Sequence, residues 1–179
     1  MSLFAWLFAS ILSAQAKDLA GVTMSDTATV GGQSVSLNGM GLREKYFIDV
    51  YVGGLYLTTK TSDGAKAIAA DEPKRIVMHF IYSEVPKDKV NETFSEGFAG
   101  VAGADALKDK ATQLMGWMGD FTSGDEVVFD YVPGTGTTVT VKGVNKGTIA
   151  GADFMKALWS VYLGANPPTS ALKSGMLGG

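Results

Sequence analysis

The 179-residue sequence predicts an α+β domain: an antiparallel sheet of about six or seven strands with two or three helices packed on one face. Three observations predict it. Short β-branched runs separated by glycines fill the first part of the chain. A Pro133-Gly134-Thr135-Gly136 loop joins two further β-rich runs. Helical apolar spacing is confined to separate segments between and after those strands, without an internal repeat or linker. The chain is 46% hydrophobic, enough for a single domain with a substantial core.

Residues 1–16, MSLFAWLFASILSAQA, differ in kind. They carry no charge, an apolar run from Leu3 to Leu12, and an A-x-A-like end at Ala14-Gln15-Ala16. The run is shorter than the roughly 20 residues needed to span a bilayer. It reads as a secretory signal peptide cleaved after Ala16, leaving residues 17–179 as one domain. A buried N-terminal helix or a retained anchor is the alternative. No later segment reads as a membrane span, and the expected location is periplasmic or secreted, in a bacterium. The chain has no cysteine, so its stability must come from the core.

The stretches AGVTMS, TATV and QSVSLN read as strands, the last two joined by a Gly31-Gly32 hairpin turn. A longer strand runs from Tyr46 to Thr58. Tyr46, Ile48, Val50, Val52 and Tyr56 share one face; Phe47, Asp49, Tyr51, Leu55 and Leu57 share the other. Both faces are largely apolar, which predicts a strand covered on both sides. Gly53-Gly54 marks a bulge or a close approach by another element. Ser62 or Asp63 caps a short helix, and KRIVMHFIY is a strong strand. Pro86 opens a helix whose Val90, Phe94 and Phe98 share a face. After a glycine break at 100–103, Leu107, Ala111, Leu114 and Met118 form the apolar face of a second helix. VNKGTIAG is a short strand and turn. Residues 152–163 form a helix apolar nearly all round, hence buried, and Asn166-Pro167-Pro168 stops it before a last helical turn.

The sequence excludes much chemistry. Thiolate metal sites and cysteine nucleophiles are impossible, and no metal site or cofactor is expected. His79 is the only histidine, lies inside a strand and has no G-x-S-x-G partner, so it reads as a half-buried strand histidine with a hydrogen-bond partner. Gly39-Met40-Gly41 lacks the third glycine of a dinucleotide fingerprint and precedes a strand. A net charge of −3 without a basic stripe gives no footprint for nucleic acid.

Arg43 is the outlier, an always-charged group beside an aromatic-rich run. Two readings stay open on physical grounds. It forms a structural salt bridge with Asp49, Glu44 or another carboxylate. Or it is the polar anchor of a cleft between apolar strands and helices, where its forked donors would grip a carboxylate or phenolate.

The stretch LNGMGLREKYFIDVYVGGLYL resembles the signature of the chalcone isomerase superfamily. There a G-x-G-[VL]-R motif, here Gly39 to Arg43, leads into a strand ending G-x-Y-[LV], here Gly54 to Leu57. The order of later elements agrees over roughly residues 20–177, and the short form is most similar to bacterial secreted chalcone isomerase-like proteins. The resemblance implies an open-faced β-sandwich, a large antiparallel sheet with helices layered on one face and a ligand cleft between. It implies either a plant-type isomerase that cyclises chalcones or a noncatalytic fatty-acid binder whose motif arginine and a tyrosine grip the carboxylate. By position these are Arg43 and Tyr51; Lys89, Thr93 and Ser160 match other positions of the family site. The plant enzymes' tyrosine at the helix start is Pro86 here, and their asparagine a turn later is Thr93. The resemblance, with these departures, implies a noncatalytic protein binding a small hydrophobic carboxylate or phenolic ligand, and a monomer is expected. Arg43 would be the catalytic residue if the chain instead isomerises a phenolic enone. A cell-envelope interaction protein without a small ligand is the third reading.

Overall fold

The computed structural model describes residues 16–179. The expected signal peptide falls almost wholly on residues 1–15, outside the described residues.

Among the described residues, nine strands and five helices follow in chain order. The strands are β1 (Ala16–Leu19), β2 (Val22–Ser25), β3 (Thr27–Val30), β4 (Gln33–Lys45), β5 (Ile48–Leu57), β6 (Lys74–Phe80), β7 (Glu126–Val132), β8 (Gly136–Val141) and β9 (Val144–Ile149). The helices are α1 (Gly64–Ala69), α2 (Lys87–Ala99), α3 (Lys108–Trp117), α4 (Ala152–Leu163) and α5 (Ser170–Met176), with a 3-10 turn at Ala104–Leu107. Strands β3 to β9 form one antiparallel sheet in sequential order, and β1–β2 is a separate hairpin. Each expected strand and helix is present. The sheet curls enough for Arg75 on β6 to reach the carbonyl of Thr29 on β3.

The two sheet faces are buried differently. One carries Tyr51, Leu55, Ile76, Met78, Phe80, Phe129 and Val139 against the helices. The other carries Val35, Leu37, Val52, Tyr56 and Val77 against Val22 and Met24 of the β1–β2 hairpin. The alternation of β5 read from sequence thus holds from Tyr51 onward, with both faces covered. The helix layer forms as its spacing dictates. Val90, Phe94 and Phe98 of α2, and Leu107, Ala111, Leu114 and Met118, are all buried, and so are eight residues of α4. The Asp63 carboxylate caps α1 by accepting from Ala65 and Lys66. Pro86 stands at the cap of α2, with Lys87 the first helical residue.

The hairpin joining β4 and β5 departs from expectation. Tyr46 and Phe47 do not begin a strand; β4 runs through the motif to Lys45, and Lys45 pairs with Ile48. Tyr46 and Phe47 are the two-residue turn, with φ of 50° and 64°. Such a turn favours Asn-Gly, and the aromatic pair hides it from pattern reading. Arg43 is therefore inside a strand, as the cross-strand partner of Tyr51.

The motif glycines have a packing cause. A Cβ on Gly41 would lie 2.7 Å from the Leu172 carbonyl carbon, and one on Gly39 2.8 Å from the Met176 carbonyl oxygen. Helix α5 lies backbone-close on β4, which only hydrogen side chains permit. Between Leu37 and Gly39 the ladder shifts register, and Asn38 at the shift is buried. Its amide donates to the Thr61 and Met176 carbonyls and its carbonyl accepts from the Thr61 N–H, so β4, the α1 loop and α5 are tied together. No helix of the described residues is long and apolar enough to cross a membrane.

Candidate functional site

Past Tyr51 the β4–β5 hairpin outruns its neighbours. The β3 pairing stops at Ser36 and the β6 register stops at Phe80 opposite Tyr51. Beside this free end, the start of α2 and one side of α4 leave a cleft of about 390 Å³, within the ~300–1000 Å³ range of small-molecule sites. Met78, Phe80, Val90, Phe94 and Val161 make it apolar; Arg43, Tyr51, Lys89 and Thr93 line it with them. Four of the five residues singled out from sequence thus share one cleft.

Ser160 does not join them. Its hydroxyl donates to the Lys156 carbonyl one turn back, at 2.7 Å, and the residue lines a different hollow, with Gly97, Gly100 and Asn166. Helical geometry explains the offset. Residues one and two positions on are turned about 100° and 200° round the axis, and it is Val161 and Tyr162 that face the cleft.

Arg43 is half-buried. One guanidinium nitrogen donates to the Glu44 carbonyl at 2.7 Å. Among the described residues it forms no ion pair, so the structural-salt-bridge reading is not met. The register shift after Arg43 sets Glu44 opposite Asp49, and both are exposed. Most of the guanidinium N–H groups are left to point at something else.

Tyr51 is buried, and among the described residues its hydroxyl has no hydrogen-bond partner. Its ring is held by Phe80, tilted at 5.6 Å, which in turn stacks on Phe121 at 4.3 Å. Burial holds the Tyr51 hydroxyl far above the ordinary tyrosine range, with Arg43 pulling the other way. The group is therefore a neutral donor at physiological pH. Tyr162 is also held protonated by burial, but it spends its proton on the Met78 sulfur at 3.0 Å.

Lys89 and Thr93 are already engaged. Lys89 pairs with Glu92 at 2.9 Å on the exposed rim. The Thr93 hydroxyl donates to the Lys89 carbonyl, so it offers the cleft an acceptor and a methyl group rather than a donor. Sequence reasoning missed Lys45, Glu84 and Tyr162 as lining residues, and placed Tyr82 on the strand, whereas it follows β6 and lines the cleft. Spacing on α4 could have suggested Tyr162. Nothing local announces Lys45 or Glu84, which the hairpin's length and the β6–α2 connection bring in. His79, outside the cleft, has the partner expected of it: Nδ1 lies 2.7 Å from a Glu126 carboxylate oxygen.

Chemically, the cleft joins an apolar chamber to the Arg43 cation and the neutral Tyr51 donor on adjacent strands, with Lys45, Lys89 and Glu84 also in its lining. Such a site orients an amphipathic anion by its head group.

A family model described as chalcone isomerase-like matches residues 16–178. Among solved structures, the crystal structure of a fatty-acid binding protein from Arabidopsis thaliana is similar, with a TM-score of 0.70. It is 16% identical in sequence, and the match covers 91% of this chain and 96% of that one. No curated protein matches the sequence.

Proposed function

The chain belongs to the chalcone isomerase-like family, and from that premise we propose that it is a noncatalytic binder of a fatty acid or similar amphipathic carboxylate. One observation carries the reading: Arg43 and Tyr51, register partners on β4 and β5, bring unspent donors to one apolar cleft. A carboxylate there would accept two charge-assisted hydrogen bonds, and the alkyl tail would lie among Met78, Phe80, Phe94 and Val161. The fatty-acid binding protein with a similar fold supports this choice of ligand class.

Cyclisation of a phenolic enone is less well supported. It would use Arg43 to stabilise developing oxyanion charge. The position where the plant enzymes' tyrosine is expected is Pro86, and the nearby Thr93 hydroxyl is committed to the backbone. Native mass spectrometry of protein purified from its own host, with displacement of a fluorescent fatty acid, tests the binding reading. A clean apo mass and no displacement would overturn it. Loss of enone absorbance on incubation with chalcones, faster than in buffer, would favour the isomerase instead.

A further inference from the structure

The β4–β5 hairpin ends in Tyr46 and Phe47, the two most exposed large apolar side chains among the described residues, followed by Ile48. Tyr46 is 83% exposed, Phe47 97% and Ile48 38%. The two turn residues adopt left-handed φ values, which cost a bulky side chain about 1 kcal/mol or more each. Asn-Gly would make the same turn without that strain. Neither the fold nor the core uses the Phe47 ring. Strain held in place to expose an aromatic side chain points to a use for it.

The tip is also the rim of the cleft, because Tyr46 and Ile48 line it together with Lys45 and Lys89. We propose that this tip enters the interfacial layer of a lipid bilayer and sets the cleft mouth against the membrane for ligand exchange. The exchange step rests on the carboxylate-binding reading above; docking of the tip does not.

Shape favours a bilayer over a protein partner. A convex tip of three side chains is far below the roughly 1,000 Å² of a stable protein interface. A bilayer needs no complementary pocket, and its interface favours aromatic rings flanked by lysines whose stems reach back to water. The Lys45 ammonium lies 5.8 Å from the Tyr46 ring centre, in that arrangement. Charge does not provide the attraction, because Lys45 and Lys89 stand among Glu44, Asp49 and Glu92. Binding should therefore survive salt.

The test is flotation with vesicles of equimolar phosphatidylcholine and phosphatidylglycerol, at low and high salt. The wild-type chain from residue 17 should float at both. Phe47→Gly, which suits the left-handed φ and leaves the cleft lining intact, should partition about ten-fold less or weaker still. Phe47→Trp should float as wild type, with blue-shifted emission. Solution displacement of a fluorescent fatty acid should be equal in wild type and Phe47→Gly, whereas its transfer from vesicles should slow in Phe47→Gly. Wild type that stays unbound, floats only at low salt, or floats equally without the Phe47 ring would overturn the proposal. So would wild type that binds native membranes but not pure lipid, which would assign the tip to a protein partner. Flotation without any displacement would overturn the carboxylate reading and leave the docking standing.

Discussion

Replacing Arg43 by methionine keeps the stem that packs at the cleft and removes every donor. A hydrogen bond to a charged group contributes about 1.5–3 kcal/mol. Arg43 is half-buried, so water screens it and the lower end applies, about 1.5 kcal/mol. That is roughly a ten-fold loss of affinity for a fatty acid. The buried Tyr51 hydroxyl gives a second bond of similar kind that is less screened, so Tyr51→Phe should cost about ten-fold or more. Because both donors meet one carboxylate, the double variant should lose less than the product of the single losses. The assay is displacement of a fluorescent fatty acid, run in parallel with the free acid and its methyl ester. Wild type should prefer the acid by about ten-fold or more, and Arg43→Met should show a clearly smaller preference. Thermal midpoints within a few degrees of wild type would establish that the variants fold. Equal wild-type affinity for acid and ester, or unchanged acid binding by Arg43→Met, would refute the anchoring role even if the apolar cleft still binds lipid.

Gly41→Ala would drive a methyl group into the Leu172 backbone, which cannot swing aside as a side chain could. It should lower unfolding free energy by about 2–3 kcal/mol in urea titration. Phe47→Gly should do the reverse, raising stability by about 1 kcal/mol and the midpoint by about 2–4 °C, because it removes left-handed strain without losing packing. Lys74 gives a pH dependence. It is fully buried, donating to the Ala67, Ile68 and Ala70 carbonyls, and burial pulls its pKa from 10.5 to about 8 against the pull of Glu72 and Asp71. Between those values the unfolded chain holds a proton that the folded chain has released, so the Lys74 contribution to stability rises with pH. Urea titrations at pH 8 and 9.5 should show that rise in wild type and not in Lys74→Met. Above about pH 10 the sign reverses, because burial keeps Tyr51, Tyr131 and Tyr162 protonated in the folded chain while they ionise in the unfolded one.

Local pattern made most of the fold legible. The period-2 runs, the Gly31-Gly32 and Pro133–Gly136 turns, and the helical spacing of Val90, Phe94 and Phe98 are each written within a few residues. Arg43 could be singled out because a cation beside an apolar run is visible in one dimension, and Tyr51 because the family pattern marks its strand position. The turn at Tyr46-Phe47 was not legible, since nothing in a Tyr-Phe pair signals a left-handed backbone; the β4–β5 register imposes it. Ser160 illustrates the same limit on a helix, where one residue of offset turns a side chain by about 100° and moves it to another surface.

The sequence by itself determined the order of the elements and most of their extents, because those depend on neighbours a few positions away. The tertiary structure decided that α5 rests on Gly39 and Gly41, that Arg43 stands opposite Tyr51 without an ion pair among the described residues, and that a cleft opens beside them. A cavity and a missing partner are properties of packing between distant segments, and no local pattern encodes the space that two elements leave unfilled.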